Sequence, residues 1–541
     1  MVEDALDLAD GAVLSADICI IGGGAAGITL AHELIGSGKT VLVLEGSTLD
    51  NRQPLPADHH ETLQRMETHP QTEAGTYDIC DEHRFCDPIA QTLYEGRVSP
   101  EMAAIDPNFL TRSRIRVYGG TTNCWGGWTR TLAPADFDRR DLDPMMVWPV
   151  SRAELEPWYQ RAIYYCSLPS TLLPTRYDQA DWWPGVADQP IRPLTPSANV
   201  ETAVWTVMNG QGPATPDGAL DFQIVWGPAL QRDPNTHVLR NANVRRIETQ
   251  LGIVTQVTGN AIDYTTGRPG PAFTVQARQF VLAMGGIETV RLLLLSNLAD
   301  RYGTLGRYFM VHPLNVSALR FAGGGRPVPE VMNFYAWPWA KWRNMQYPPG
   351  IFAALTPTGA ALKANRIGNL RALVGFDGFG GGTLNLNWEQ VPSAVNQVAL
   401  SADPTRVDLF GDRRVDLQWS HTAQDQRTLE LGAKLVVNEL ERLGLLGTVT
   451  STDLRVAQAG DHHMGATRMS ADPSTGYVDP NCRVHGLQNL FISSSSVFPT
   501  GGYANPTLTI VALAARLARH LGAREAPAEA PAEQPAVVAE E

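Results

Sequence analysis

One stretch near the start of the chain restricts the fold more than any other. The apolar run Ala16-Asp17-Ile18-Cys19-Ile20-Ile21 leads directly into Gly22-Gly23-Gly24-Ala25-Ala26-Gly27 and then a helical stretch from Ile28 to Leu34. Gly22 allows the tight turn, Gly24 lets backbone approach a pyrophosphate, and Gly27 lets the helix pack closely on the strand. The phosphate anion then sits on the helix N-terminus. A second strand, Thr40 to Leu44, ends at Glu45, placed to accept hydrogen bonds from a ribose and so favouring FAD or NAD over NADP. Strand, glycines, helix, strand and acid together predict an α/β fold of the Rossmann-like, nucleotide-binding kind.

With 541 residues the chain is too long for one core, and two or three packed units are expected. A net charge of −13 repels nucleic acid and anionic lipid, and no basic cluster overrides it. There is no apolar run of about 18 residues to span a membrane. The start, Met1-Val2-Glu3-Asp4, lacks the basic and apolar regions of a secretory signal, so a cytoplasmic location is expected. The 6 cysteines are scattered, without zinc spacing or a disulfide framework, and Cys80 and Cys86 read as free thiols. His59, His60, His69 and His83 lie in a polar stretch, 50–105, that reads as a surface excursion or lid. No completing carboxylate or cysteine spacing is present, and no metal is expected.

Further along, Gly119-Gly120-Thr121-Thr122-Asn123-Cys124-Trp125-Gly126-Gly127-Trp128 cannot form a regular helix, and its glycines let backbone N–H groups approach a flat or anionic ligand. Ser151 and Glu154 form a capping box that opens a helix. Short strands return over 237–300, with Phe273 to Ala277 and Gln279 to Ala283 as separate ones; the second enters Met284-Gly285-Gly286 and a helix from Ile287 to Ser296, a second crossover of nucleotide-binding type. From Tyr308 to about Thr450 the texture changes to aromatic and alternating, as in Leu384-Asn385-Leu386-Asn387-Trp388, and a helix spans Asp425 to Leu443. That block predicts an antiparallel sheet with flanking helices.

Near the C-terminus stand Asp461-His462-His463-Met464-Gly465 and, after Phe498-Pro499-Thr500, Asn505-Pro506-Thr507 at the head of a final helix. They pair a histidine able to take a proton with an amide able to donate to oxygen. The pattern His462-x-x-Gly465, Val478-Asp479, Arg483-Val484-x-Gly486, Asn489-Leu490 and Asn505-Pro506-Thr507 resembles the glucose-methanol-choline (GMC) flavin-dependent oxidoreductases. Together with the N-terminal motif, the Gly119 to Trp128 loop and the Ala283 to Arg291 turn, the likeness covers nearly the whole chain except the tail and the 50–105 excursion. The wording Val497-Phe498-Pro499-Thr500 before Asn505 is most similar to the pyranose oxidase and sugar dehydrogenase branch.

The resemblance implies an FAD domain interleaved with an α+β substrate domain on an antiparallel sheet. In this numbering the FAD domain takes 12–150, 222–305 and 455–524, the substrate domain 151–221 and 306–454, and 525–541 is a disordered Pro/Ala/Glu tail. It implies His462 and Asn505 as the catalytic pair. It also implies FAD contacts at Gly22, Gly24, Ala25, Ala26, Gly27, Glu45, Gly119, Gly120, Thr122, Asn123, Cys124, Trp125, Gly126, Val244, Ala283, Gly285, Ser494, Asn505, Pro506 and Thr507. Pyranose oxidases carry a flavin-linked histidine where this chain has Cys124, and a threonine where it has Gly126. FAD is therefore expected without a covalent bond.

The chemistry expected is oxidation of CH–OH to a carbonyl, with hydride transfer to flavin N5 while His462 takes the hydroxyl proton and Asn505 donates to the oxygen. The substrate expected is a small alcohol, a sugar or glycoside above all, with Trp337, Trp339 and Trp342 as flat faces for a ring. Oxygen or a quinone would receive the electrons, and the oligomeric state stays open. A non-sugar alcohol, or a flavin protein with non-oxidative chemistry, is the alternative.

Overall fold

The computed structural model of the chain describes residues 2–47, 92–123, 125–166, 168, 185–186, 189–190, 194, 197–207, 221–329, 332, 335, 351–376 and 381–522. In the strand Ala12–Ile21 the first residues alternate in burial while Ile18 to Ile21 are buried throughout. Such a strand belongs inside a parallel sheet covered by helices. Its sheet has eight strands, in the order Val2–Asp4, Thr236–Arg240, Val41–Leu44, Ala12–Ile21, Arg268–Leu282, Ile253–Asp263 and Asn243–Gln250; Leu490–Ile492 pairs with the far end of Arg268–Leu282. The strands from Val2–Asp4 to Arg268–Leu282 run parallel, and the last two are joined antiparallel.

The glycine run turns the chain from Ile21 into the helix Ala25–Glu33. Gly22 adopts φ of 110°, where a side chain would be strained, and a Cβ on Gly27 would collide with the carbonyl oxygen of Gly22. The two strands expected between Phe273 and Ala283 are one, Arg268–Leu282. Its first half is laddered to Ile253–Asp263 and its end to Leu490–Ile492, while Ala12–Ile21 pairs along both halves and keeps the strand continuous. The second crossover follows as the helix Gly285–Leu295.

The capping box is formed, with the Ser151 N–H donating to Glu154 at 2.8 Å. Its helix, Arg152–Tyr165, packs on the final helix Thr507–His520, where the Tyr159 hydroxyl meets Thr509 Oγ1 at 2.9 Å. Residues 92–105 of the expected excursion are also regular. Gly96–Val98 pairs with Val415–Gln418, and Ser99 caps the helix Pro100–Ile105. A three-residue strand with so distant a partner leaves no periodicity to read.

The second sheet has seven strands in the order Leu446–Thr452, Leu314–Gly323, Gly382–Trp388, Leu370–Phe376, Ile351–Pro357, Val200–Val207 and Trp128–Thr129, paired antiparallel. Its period of two sorts the residues. Leu370, Ala372, Val374, Leu384, Leu386 and Trp388 share a core with Leu429, Ala433, Val436 and Leu440 of the helix Ala423–Arg442. The opposite face presents Arg371, Leu373, Asn387, Trp205 and Phe352. Tyr503, just before Asn505, packs with Trp205, Phe352 and Leu373. The second sheet thus forms one wall against which the C-terminal segment lies.

Replacing Gly27 by Ala forces the Gly22 turn and the helix apart, a packing strain worth about 1–3 kcal/mol. We expect Gly27→Ala to lower both the melting temperature and the flavin content of the purified protein. Unchanged values of both would contradict the close packing.

Candidate active site

His462 stands on a loop held from several sides. The preceding Asp461 pairs with Arg112 at 2.8 Å, and the backbone of Met464 exchanges two hydrogen bonds with Met310, each 2.9 Å. Gly465 has φ of 73° and its N–H donates to the Ser495 carbonyl. These bonds set the loop beside His312, which precedes the strand Leu314–Gly323.

There Nδ1 of His462 lies 2.8 Å from Nδ1 of His312, and Nε2 of His312 lies 3.3 Å from the Gly501 carbonyl oxygen. A carbonyl only accepts, so His312 Nε2 carries the hydrogen and its Nδ1 is the acceptor. His462 must then donate from Nδ1, which leaves its Nε2 as a bare lone pair. That atom faces Asn505 Nδ2 at 3.4 Å. Arg371 Nη1 donates to Asn505 Oδ1 at 2.8 Å, which turns the amide so that its N–H₂ side points at the histidine. A substrate hydroxyl between the two can give its proton to His462 and accept from Asn505.

All three imidazoles here are held neutral. Burial lowers His312 to about 3, with the Arg371 cation adding to it. Burial also takes His462 well below the usual histidine range, helped by His312 and Arg371. His463, lowered by burial to about 3, turns the other way. Its ring lies against Phe109 and Phe309, and its Nε2 has no hydrogen-bond partner. Behind Gly501, the buried Glu389 accepts from the Gly502 N–H at 2.8 Å. The neighbouring Asp136 is raised by its burial and by Glu389 to about 7.

Of the residues expected around FAD, the first glycine turn and the Gly119–Asn123 turn meet beyond the end of the strand Ala12–Ile21. A β-bridge joins Gly24 to Gly119, and a Cβ on Gly120 would come within 3.1 Å of the Gly24 Cα. Glu45, buried at the end of Val41–Leu44, accepts from the Gly23 N–H at 2.9 Å and from Ser47 N–H at 3.2 Å. Thr122 donates to the Gly119 carbonyl, and Asn123 to the carbonyls of Tyr118 and Gly120, which shape the short 3₁₀ turn Gly120–Asn123. The helix Ala25–Glu33 has no side-chain cap at Gly24, and Ser493 Oγ, buried just past Leu490–Ile492, has no partner. An uncapped helix start, two glycine turns in close approach and an orphaned hydroxyl fit a long polar cofactor such as FAD.

Val244 lies at a register shift in Asn243–Gln250, Gly285 opens its helix with φ of 75°, and Ser494 bonds Ser496 at 2.6 Å. Cys124, Trp337, Trp339 and Trp342 lie outside the described residues. Among the described residues, the aromatic faces near Asn505 are Trp128, Trp205, Phe352 and Tyr503, with Trp128 and Trp205 against Arg371. Sequence reading missed His312, Arg371 and this cluster. A signal for Arg371 was present, a lone cation within the apolar Leu370-Arg371-Ala372-Leu373-Val374. Among the described residues no cluster of metal-ligating side chains occurs, and no helix is long and apolar enough to cross a membrane.

Residues 392–514 match the family described as GMC oxidoreductase. The 2-methyl-1,2-propanediol dehydrogenase of Mycolicibacterium austroafricanum is 26% identical, covering 94% of this chain and 95% of its own length. The fructose dehydrogenase large subunit of Gluconobacter japonicus is 23% identical, covering 93% and 97%. Formate oxidase of Aspergillus oryzae, a solved structure 16% identical, aligns over 95% of this chain and 99% of its own with a TM-score of 0.54. That likeness is one of fold.

The buried histidines give stability a pH dependence. Their folded pKa values lie below the unfolded value of about 6.5, so below that pH the unfolded chain binds more protons. Stability is complete above about pH 6.5 and falls as pH drops toward 3, by about 1.4 kcal/mol per pH unit for each histidine. We expect His463→Phe to flatten the loss between pH 6 and 4, measured by urea midpoints. Parallel curves for variant and parent would contradict neutral burial of His463.

Proposed function

We propose that the chain is a GMC oxidoreductase that oxidises a secondary hydroxyl of a sugar or glycoside to the carbonyl, with His462 as base and Asn505 as oxyanion donor. The observation that carries this reading is the bare Nε2 of His462 facing the Asn505 amide, whose orientations are fixed by His312 and Arg371. FAD would be held by the Gly22 to Gly27 turn, Glu45, the Gly119 to Asn123 turn and the Ser493–Ser494 region. When bound it supplies the two-electron acceptor for the hydride. With Cys124 in place of a histidine, no histidyl bond holds it.

An alcohol releases its carbon-bound hydrogen as hydride only as its O–H proton leaves. Taking that proton on His462 Nε2 contributes about 10²–10⁴ in rate. The depressed pKa keeps this atom unprotonated throughout the neutral range, at the cost of making the imidazolium harder to form. Asn505 Nδ2 stabilises the oxygen as charge develops on it. His312 keeps the proton-accepting nitrogen pointed at the substrate, because its Nδ1 can only accept from His462.

A ring substrate is supported by the wall opposite. Trp205 and Phe352 stack with an interplanar angle of 11°, and Trp128 tilts against Phe352. Asn387 on the same sheet face donates to the carbonyls of His312 and Pro313, while its Oδ1 has no partner. Flat apolar faces with a buried acceptor suit the C–H face and hydroxyls of a pyranose. The name of the fructose dehydrogenase relative points the same way.

In anaerobic stopped-flow, a sugar or glycoside should bleach the flavin of the parent protein. His462→Ala should slow bleaching by about 10²–10⁴ with its flavin retained, and His463→Ala should slow it less than tenfold (roughly 1.4 kcal/mol). Equal losses in both variants, or no bleaching by any polyol or sugar, would overturn the reading.

A further inference from the structure

Arg371 is 5% exposed, yet among the described residues no carboxylate pairs with it. It meets the Asn505 side-chain oxygen and two indoles, with the guanidinium carbon 5.1 Å from the Trp205 ring centre and 5.3 Å from that of Trp128. Its Nε–H has no acceptor, nor has the Nε1–H of the neighbouring, fully buried Trp205. A buried cation without an anion, beside an unsatisfied donor, is destabilising. Cation–π contact with two indoles offsets only part of that cost. Both unsatisfied groups are donors, so what they lack is an acceptor, and a charged one answers the guanidinium as well.

We infer that Arg371 anchors a carboxylate on the substrate, so that the enzyme acts on a hydroxy acid or sugar acid. The anchor lies against Asn505, so the anion and the reacting hydroxyl occupy one molecule within a few bonds of each other. Rings carrying an amine are rejected, since their ammonium would meet Arg371 as a like charge in a site with little water. Neutral sugars bind through the aromatic wall and Asn387, and their hydroxyls can accept from the two donors, but they leave the guanidinium charge unanswered. This inference rests on the alcohol-oxidation reading and narrows its substrate.

The test uses the purified holoenzyme and matched pairs with the same hydroxyl: methyl glucoside and methyl glucuronide, glucose and glucuronate, propane-1,2-diol and lactate, with glucosamine as the cationic control. Anaerobic flavin bleaching should favour the acid in at least one pair by tenfold or more in kcat/KM, mostly through KM, and glucosamine should be the poorest hexose. Arg371→Gln should abolish that preference; it also releases the Asn505 amide and so lowers kcat on both partners, and a flavin content and melting temperature matching the parent show that it is folded and flavin-loaded. A preference for the neutral partner in every reactive pair, or an acid preference that survives in Arg371→Gln, would overturn the inference and leave alcohol oxidation standing. Lost flavin in Arg371→Gln with the acid preference kept would make Arg371 a cofactor residue and equally overturn it. Should no compound bleach the flavin, alcohol oxidation fails. The anchor is then judged by sodium benzoate, expected to perturb the flavin spectrum of the parent and not of Arg371→Gln. No perturbation of the parent overturns it.

Discussion

The hydrogen bond between the Nδ1 atoms of His462 and His312, 2.8 Å long, decides which nitrogen of His462 faces Asn505. It works only because a carbonyl, that of Gly501, occupies the far side of His312 and leaves one tautomer open to it. Three separate segments must therefore stay in register: the entry to Leu314–Gly323, the 461–465 loop and the Gly501–Gly502 turn. The paired backbone bonds of Met310 and Met464 hold the first two together. Glu389, from the end of the second sheet, holds the third through the Gly502 N–H. The geometry of the His462–Asn505 pair is thus a product of the two sheets meeting, and neither sheet contains it alone.

Electrostatics set the direction of the chemistry. Among the described residues no carboxylate bonds to His312, His462, Asn505 or Arg371, and the one permanent charge among these is the Arg371 cation. A cavity of this sign disfavours a second positive charge before reaction and favours the negative charge that develops on the substrate oxygen. The acids Asp136 and Glu389 stand behind the glycine turn, where they order backbone and leave the lone pair of His462 unchallenged. Cost is accepted on the protein side: a buried guanidinium without a carboxylate removes stability from the fold, and the buried neutral histidines do so as pH falls below about 6.5.

Much of this was legible in the sequence where the physics is local. The Gly22 to Gly27 turn, the capping box at Ser151 and the alternation of Leu384 to Trp388 each depend on neighbours a few residues away, and each marks its element directly. The His462–Asn505 pairing was reached through the family pattern, since nothing local brings a loop and a helix start together. His312 and Arg371 stayed hidden for the complementary reason: their partners come from segments distant in the chain, at 150 and 134 residues' separation. A lone histidine or arginine in a strand pattern gives no sign of what it faces. The Trp337 to Trp342 run lies outside the described residues, whereas Trp128 and Trp205, spread over two strands, meet in three dimensions beside Arg371.

The central claim is that His462 presents a bare Nε2 because its Nδ1–H is committed to His312. Ring-nitrogen NMR of the oxidised holoenzyme, labelled with ¹⁵N-histidine and read at pH 7 against His462→Gln and His312→Gln to assign the signals, measures this directly. The account predicts a neutral His462 protonated at Nδ1 and a neutral His312 protonated at Nε2. A His462 protonated at Nε2, or an imidazolium at either position, would contradict it.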